Sequence, residues 1–462
     1  MKKLFTTLSF CIGLCLLTSL NFQANSQCIR QFEVPTPRVN DAGVYNFYDE
    51  NAPKVISEIP KGFKVVGISH YGRHGQRYYC NENASFLEML QVLEEANAQG
   101  NLTERGQMVY EAYKAYYPYM MDRDGELTQL GRQQHYGIAK RMYAEYKHLF
   151  TQDATLTAWS TLVPRCIESM GAFCEEMGRQ NSKIRILAEA SNRYLIQVSP
   201  MQEYVYHYKI DYKPAVKKIR NDYFRSVLDS VALAKNLFKQ VEKEQAGKLA
   251  LVTRSVYSVY LSLPGTDFYH LDAAKAYRYA VDGKAYADKP EMAPLFDDET
   301  WQLLINMEEY CHQSEAIPQV LYNGTIGIYM AEAILNLVDE DLASGKKFVR
   351  LRFGHDNILQ TFFAHCGIEG WRIHEKLEDT MAEWNLSRFP MASNMQCIFY
   401  RKKGDDRVLF RMLLNDSELQ LPIEPVCGRI YDWKTFRNYM QPRIEEGKVI
   451  AAPYIKFPYP LR

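Results

Sequence analysis

Apolar positions follow two different periods, and the change from one to the other divides the chain. Short runs such as Lys64–Tyr71, Ala154–Ser160, Lys183–Ala188 and Lys347–Phe353 are rich in residues that suit buried strands. Between them apolar residues recur at intervals of three and four, as in Phe86, Leu87, Leu90 and Leu93, or Ile167, Met170, Phe173 and Met177. That spacing predicts helices over 83–98, over 128–146 with Thr128 as N-cap, and from about Pro164, a residue suited to a first helical turn. Strands alternating with helices imply an α/β fold, a mainly parallel sheet with helices on both faces. From about residue 191 to 316 the pattern changes to long, tyrosine-rich, charged helical segments with few strand signals. This predicts a helical cap subdomain, 191–316, inserted into a core formed by 27–190 and 317–462. The core resumes with a helix at Tyr329–Ala343, the strand at Lys347–Phe353 and a helix over Asn357–Ala364.

The ends have their own patterns. Met1-Lys2-Lys3 followed by the apolar stretch Leu4–Leu20, with Ala24-Asn25-Ser26 behind it, predicts a secretory signal peptide over 1–26 and a mature chain beginning near Gln27. The expected location is periplasmic or secreted, with no stable membrane insertion after cleavage, because no later apolar run reaches the ~18 residues that span a bilayer. Lipidation of Cys28 is disfavoured by Gln27 in front of it. Residues 27–60 read as an N-terminal arm and Pro453–Pro460 as an extended tail.

Composition narrows the partners. The 462 residues exceed one small core, and 47% hydrophobic with 24% charged residues is ordinary for a globular protein. Lysine plus arginine equals aspartate plus glutamate at 55 each, so no global basic field recruits nucleic acid. Of the ten cysteines, Cys11 and Cys15 fall in the signal, and no C-x-x-C pair suggests a zinc ribbon. Cys166 and Cys174 lie too far apart along one predicted helix to bridge each other. Disulfide pairing and oligomeric state are left open.

The chemistry sits at three strand ends. Behind Val65-Val66-Gly67-Ile68 comes Arg73-His74-Gly75-Gln76-Arg77-Tyr78, two arginines around a histidine beside a glycine. Guanidinium forks match phosphate oxygens, and imidazole is a competent nucleophile toward phosphorus. A second histidine, His355, followed by Asp356, ends the run Phe348–Phe353. Arg165 follows Pro164 at a predicted helix N-terminus, where backbone N–H groups favour an anion. His70 and His74 have a zinc-like spacing, but it falls at a strand end across Gly72 rather than on a helix, and no metal is expected. Arg193, Lys209 and Arg254 either extend a basic cleft or are ordinary surface charges, and the second reading is preferred.

Four stretches in order, Arg73–Tyr78, Leu127–Gln134, Arg165–Ser169 and Gly354–Asp356, resemble the histidine acid phosphatase and phytase branch of the histidine phosphatase superfamily, which includes the multiple inositol polyphosphate phosphatases. Asn394–Tyr400 and Val408–Asn415 resemble that branch's paired C-terminal strands. The resemblance implies a phosphohistidine mechanism without cofactor or metal. His74 would be the nucleophile, Arg73, Arg77 and Arg165 the phosphate clamp, His355 a further phosphate ligand, and Asp356 the proton donor to the leaving alcohol. Two departures stand out: Tyr78 and Tyr79 replace the proline common there, on what is expected to be the pocket rim. His355-Asp356-Asn357 replaces the His-Ala-Glu of the inositol branch and is nearer to ordinary acid phosphatases and His-Asp phytases. The expected function is a secreted phosphomonoesterase acting on small phosphorylated substrates, inositol phosphates (phytate) among them. The alternatives are a broad-specificity acid phosphatase on sugar phosphates, a phosphomutase, or an inactive phosphate-binding protein.

Overall fold

The computed structural model describes residues 46, 48–80, 84–191, 213–267, 297–316, 323–374, 377–384 and 389–451. The predicted signal peptide 1–26, Cys28, Arg193, Lys209 and the tail Pro453–Pro460 lie outside the described residues, as do parts of the predicted cap.

Six longer strands, β1 (Lys64–Arg73), β2 (Thr155–Ser160), β3 (Leu187–Ala190), β4 (Phe348–Gly354), β5 (Asn394–Lys402) and β6 (Asp405–Leu414), and two short ones, β7 (Ser417–Glu418) and β8 (Tyr431–Asp432), form one sheet. Its order is β3-β2-β4-β1-β5-β6-β7, with β8 also on β6. β1, β2, β3 and β4 run parallel, whereas β5 pairs antiparallel with β1 and β6 folds back antiparallel on β5 as a hairpin. β1 therefore sits between the parallel and antiparallel halves. The C-terminal ends of β1, β2 and β4 open on one side, where ligands of open α/β sheets bind.

Side chains alternate across the sheet with the period of two that a pleat requires. On β1, Ile68 points to the face covered by α3 (Gln129–Tyr146) and α4 (Pro164–Gln180). Tyr71 points to the other face, covered by α9 (Asn323–Ser344), α10 (Asp356–Cys366) and α12 (Trp433–Ala451). β5 does the same, sending Ile398 and Tyr400 one way and Met395, Cys397 and Phe399 the other. Within the second layer Phe363, Trp371 and Phe389 pack as a triad with ring centroids 5.1–5.7 Å apart. Each such ring contributes roughly 1.5–3 kcal/mol by burial, and the triad fixes Phe389 next to the end of β1.

A third core is helical. It joins α1 (Phe86–Ala98) and α2 (Glu104–Met120) to α6 (Ser230–Ala234), α7 (Ala246–Ser262) and α8 (Asp298–Ala316). The remaining helices are α5 (Lys213–Val227), packed on α8, and α11 (Leu377–Glu383). The helical body thus draws on two stretches of chain, not on 191–316 alone. The strand expected at Lys183–Ala188 begins later, at Leu187, because Asn181 Oδ1 accepts the Lys183 N–H (3.0 Å) in a turn and pairing with β2 starts at Leu187. Among the described residues no helix is long and apolar enough to cross a membrane.

Candidate active site

β1 ends at Arg73, and the loop that follows is held from three sides. On the first side, the Arg73 N–H donates to Ser393 O (2.7 Å) and the Ala392 N–H to His74 O (2.9 Å), tying the loop to the segment entering β5. On the second, the His74 N–H donates to Gly354 O (3.0 Å) at the end of β4. On the third, α3 and α4 approach: Ser169 Oγ accepts the Gly75 N–H (3.1 Å), and Gln134 Oε1 accepts the Gln76 N–H (2.9 Å). Thr128, the N-cap of α3, donates through both N–H (2.9 Å) and Oγ1 (3.1 Å) to Gln76 O. The approach is possible because two glycines face each other: a Cβ on Gly75 would lie 2.4 Å from Gly131 O, and one on Gly131 would lie 2.4 Å from Gln76 O.

The tautomer of His74 follows from its neighbour. Its Nδ1 lies 2.9 Å from Gly75 O. A carbonyl can only accept, so Nδ1 carries the proton and Nε2 presents a lone pair. Burial, then Arg165, Arg73, His355 and Arg77, hold this imidazole well below its usual range and therefore neutral. Arg73, 2% exposed, donates from Nη1 to Phe389 O (2.7 Å), and its Nη2 lies 3.6 Å from Asp356 Oδ2. Arg77 is also buried and is braced by Tyr78 O, which accepts from its Nη1 (3.0 Å).

Arg165, in the first turn of α4, places Nη2 3.3 Å from His355 Nε2. Burial, with Arg165 beside it, lowers His355 to about 3, so its Nε2 accepts. The His355 ring stands edge-on to that of His74, centroids 5.5 Å apart. His355 is the N-cap of α10, and Asp356 opens the helix. Beneath them Cys166 Sγ donates to Gly354 O (3.4 Å), and burial pushes this thiol up to about 11, which keeps it protonated. The structure therefore brings Arg73, His74, Arg77, Arg165, His355 and Asp356 together at the C-terminal ends of β1, β2 and β4.

Several residues stand elsewhere than expected. Tyr78 and Tyr79, expected on the pocket rim, are 0% and 1% exposed and belong to the helical core. The Arg123 guanidinium covers the Tyr78 ring at 4.0 Å. The aromatic side chains at this point are taken up by packing in that core rather than left at a rim. Arg254, expected as a surface charge, is buried in the same body, facing Glu308 (3.9 Å) and lying over Phe224. His70 packs against Phe173 and Phe353 on the α3–α4 face. Tyr71, Ser169, Gln134, Phe389 and Ala392 had no assigned role in the sequence reading: Tyr71, Phe389 and Ala392 bond to His355, Arg73 and His74 with at least one backbone partner, and Ser169 and Gln134 accept the backbone N–H groups of Gly75 and Gln76. Among the described residues Cys80, Cys166, Cys174, Cys366, Cys397 and Cys427 are free thiols.

A neutral imidazole, three guanidiniums and a carboxyl gathered at parallel strand ends suit phosphoryl transfer. The chain belongs to the histidine phosphatase superfamily (branch 2), which it matches over residues 72–415; it is a phosphomonoesterase of the histidine acid phosphatase type. Its fold is similar to that of the Bifidobacterium longum multiple inositol polyphosphate phosphatase in complex with inositol hexasulfate, with a TM-score of 0.65 at 15% identity over 90% of this chain and 98% of that one. It is also similar to the phytase from D. castellii, with a TM-score of 0.59 at 12% identity over 89% and 88% of the two chains. No curated sequence is significantly similar to the chain.

Proposed function

We propose that this protein is a secreted or periplasmic enzyme that hydrolyses phosphate monoesters, inositol phosphates among them, through a phosphohistidine on His74. The observation that carries the reading is the free lone pair of His74 Nε2, set by the Nδ1–H bond to Gly75 O, within a cluster of three arginines. Arg73, Arg77 and Arg165 bind the phosphoryl oxygens and stabilise their charge as it spreads in a loose transition state. Nε2 attacks phosphorus, the P–O ester bond breaks, and the leaving alkoxide takes the proton of Asp356. Water then attacks the phosphohistidine, gives its proton to the Asp356 carboxylate, and releases inorganic phosphate with His74 restored.

Inositol phosphates enter the reading through the fold shared with an inositol polyphosphate phosphatase and a phytase. The pattern His355-Asp356-Asn357 supports the alternative of a broad acid phosphatase acting on sugar phosphates. In either case the helices of 191–316 act as a cap, a placement supported by the packing of α8 against α10. Export rests on the pattern of Met1–Leu20.

Rapid quenching with a radiolabelled phosphate ester is expected to trap label on His74, and His74→Ala is expected to abolish both label and turnover. Phytate, sugar phosphates and p-nitrophenyl phosphate, compared by inorganic phosphate release, separate the substrate readings and distinguish hydrolysis from phosphate transfer to a second hydroxyl. Near-wild-type turnover in His74→Ala would remove the nucleophile assignment.

A further inference from the structure

We propose that Tyr71 is a positioning residue for proton donation: its hydroxyl pins the backbone of His355 and thereby sets the direction in which the adjoining Asp356 carboxyl points. Tyr71 lies on β1, two residues before Arg73, and is fully buried on the face of the sheet covered by α10. Its Oη donates to His355 O (3.1 Å) and accepts from the His355 N–H (3.0 Å). One phenol therefore satisfies both backbone polar groups of the residue that carries one site imidazole and precedes the site carboxyl.

His355 needs such an external hold. It is the N-cap of α10, with extended backbone (φ −123°, ψ 159°), and its side chain makes no capping bond. The regular dihedrals of the helix begin only at Asp356. A rotation at the cap would swing the Asp356 carboxyl relative to His74. Arg73, on the same face of β1 as Tyr71, reaches Asp356 Oδ2 with Nη2 at 3.6 Å. Two residues of β1 thus grip the strand-to-helix turn, Tyr71 by its backbone and Arg73 by its carboxylate. Complete burial pushes the phenol well up, which keeps it protonated and able to donate and accept at once. A phenylalanine would fill the same space in the core, so packing alone does not call for the hydroxyl.

The inference rests on Asp356 as proton donor, and the test therefore includes that residue. Wild type, Tyr71→Phe and Asp356→Asn are compared on an alkyl phosphate such as β-glycerophosphate, whose alkoxide needs a proton as it leaves, and on p-nitrophenyl phosphate, whose phenolate barely does. The readout is the ratio of kcat/KM on the two substrates, which does not depend on how much of a preparation is folded. Asp356→Asn is expected to lower the alkyl-to-nitrophenyl ratio by about 100-fold, and Tyr71→Phe by about tenfold, the factor that loss of one positioning hydrogen bond commands. A purely structural role for Tyr71 would lower both rates in proportion and leave the ratio unchanged, which overturns the inference. A ratio unchanged in Asp356→Asn as well overturns the acid assignment and this inference with it. Should Tyr71→Phe accumulate too little folded protein, 4-aminophenylalanine at position 71 keeps the ring and a donor to His355 O. It is expected to retain a ratio within about threefold of wild type on the same hydrogen-bond scale, and a ratio lowered tenfold or more overturns the inference.

Discussion

At the scale of single residues the site depends on direction as much as charge, and Arg165 shows why. Its guanidinium approaches His355 Nε2 (3.3 Å) while lowering the basicity of both site histidines. A planar fork can hold two oxygens of one phosphoryl group, whereas an ammonium offers a point charge of the same sign. Arg165→Lys is therefore expected to keep His74 neutral yet lose geometry, with kcat/KM on p-nitrophenyl phosphate down about 10–100-fold. Initial rates at saturating and limiting substrate check this, and a variant within about twofold of wild type would take Arg165 out of the clamp. Arg165, like the other five candidate residues, was legible because each stands in a short run whose types announce their chemistry. Tyr71, Ser169 and Phe389 were not. They act through backbone contacts with partners 284, 94 and 316 positions away, and nothing local in their runs signals it.

At the scale of elements, the nucleophile loop is only as well placed as the helix it leans on. Gly131 lies in the first turn of α3, where a Cβ would meet Gln76 O at 2.4 Å and Gln76 N at 2.8 Å. Those atoms are backbone and cannot rotate away, so α3 and the loop would have to separate. Gly131→Ala is expected to destabilise the protein by about 1–3 kcal/mol and to lower kcat through a displaced His74. Gly171 in α4 is the control: nothing lies within 4 Å of a Cβ there, and Gly171→Ala is expected to add about 0.5–1 kcal/mol of helix stability with unchanged kcat. Thermal unfolding and initial rates on both variants decide it, and equal behaviour would deny the close approach any role. α3 was readable from the sequence from cap to end, because Thr128 is a strong N-cap and the apolar stripe is regular. α2 and α12 escaped the sequence reading. Each carries an internal proline, Pro118 or Pro442, and in α2 tyrosines take the place of an aliphatic stripe. The contribution of α1 and α2 to the helical core was hidden for another reason, since it depends on contacts with helices more than a hundred residues later.

At the scale of the whole molecule, the sheet and the helix α3 upon it bury several imidazoles, and this opposes the proposed chemistry. Burial, as the leading cause in each case, lowers His70, His135 and His355 to about 3 and holds His74 well below its ordinary range. In the unfolded chain each would take up a proton near pH ~6.5. Between that value and the folded ones the unfolded state binds more protons, so the stability these groups contribute is complete above ~6.5 and is lost as pH falls. Each costs about 1.4 kcal/mol per pH unit once its unfolded form is charged. Asp267, whose carboxyl burial raises, works in the opposite direction and offsets part of the loss. Under the proposed mechanism the leaving alcohol must receive a proton from the Asp356 carboxyl, a step that acid pH by contrast favours. The melting temperature is therefore expected to drop steadily from pH ~6.5 to ~4, while kcat measured in short assays keeps rising over part of that range. The acid limit of use is then set by unfolding rather than by ionisation of His74. His135, whose ring packs beside Phe353 and borders the Arg73 backbone without reaching His74, permits a direct test. His135→Leu is expected to flatten the acid decline by about 1.4 kcal/mol per pH unit, read as Tm or as urea midpoints across the same range. A wild-type Tm that stays level between pH ~7 and ~4.5 would show that the buried imidazoles do not govern acid stability.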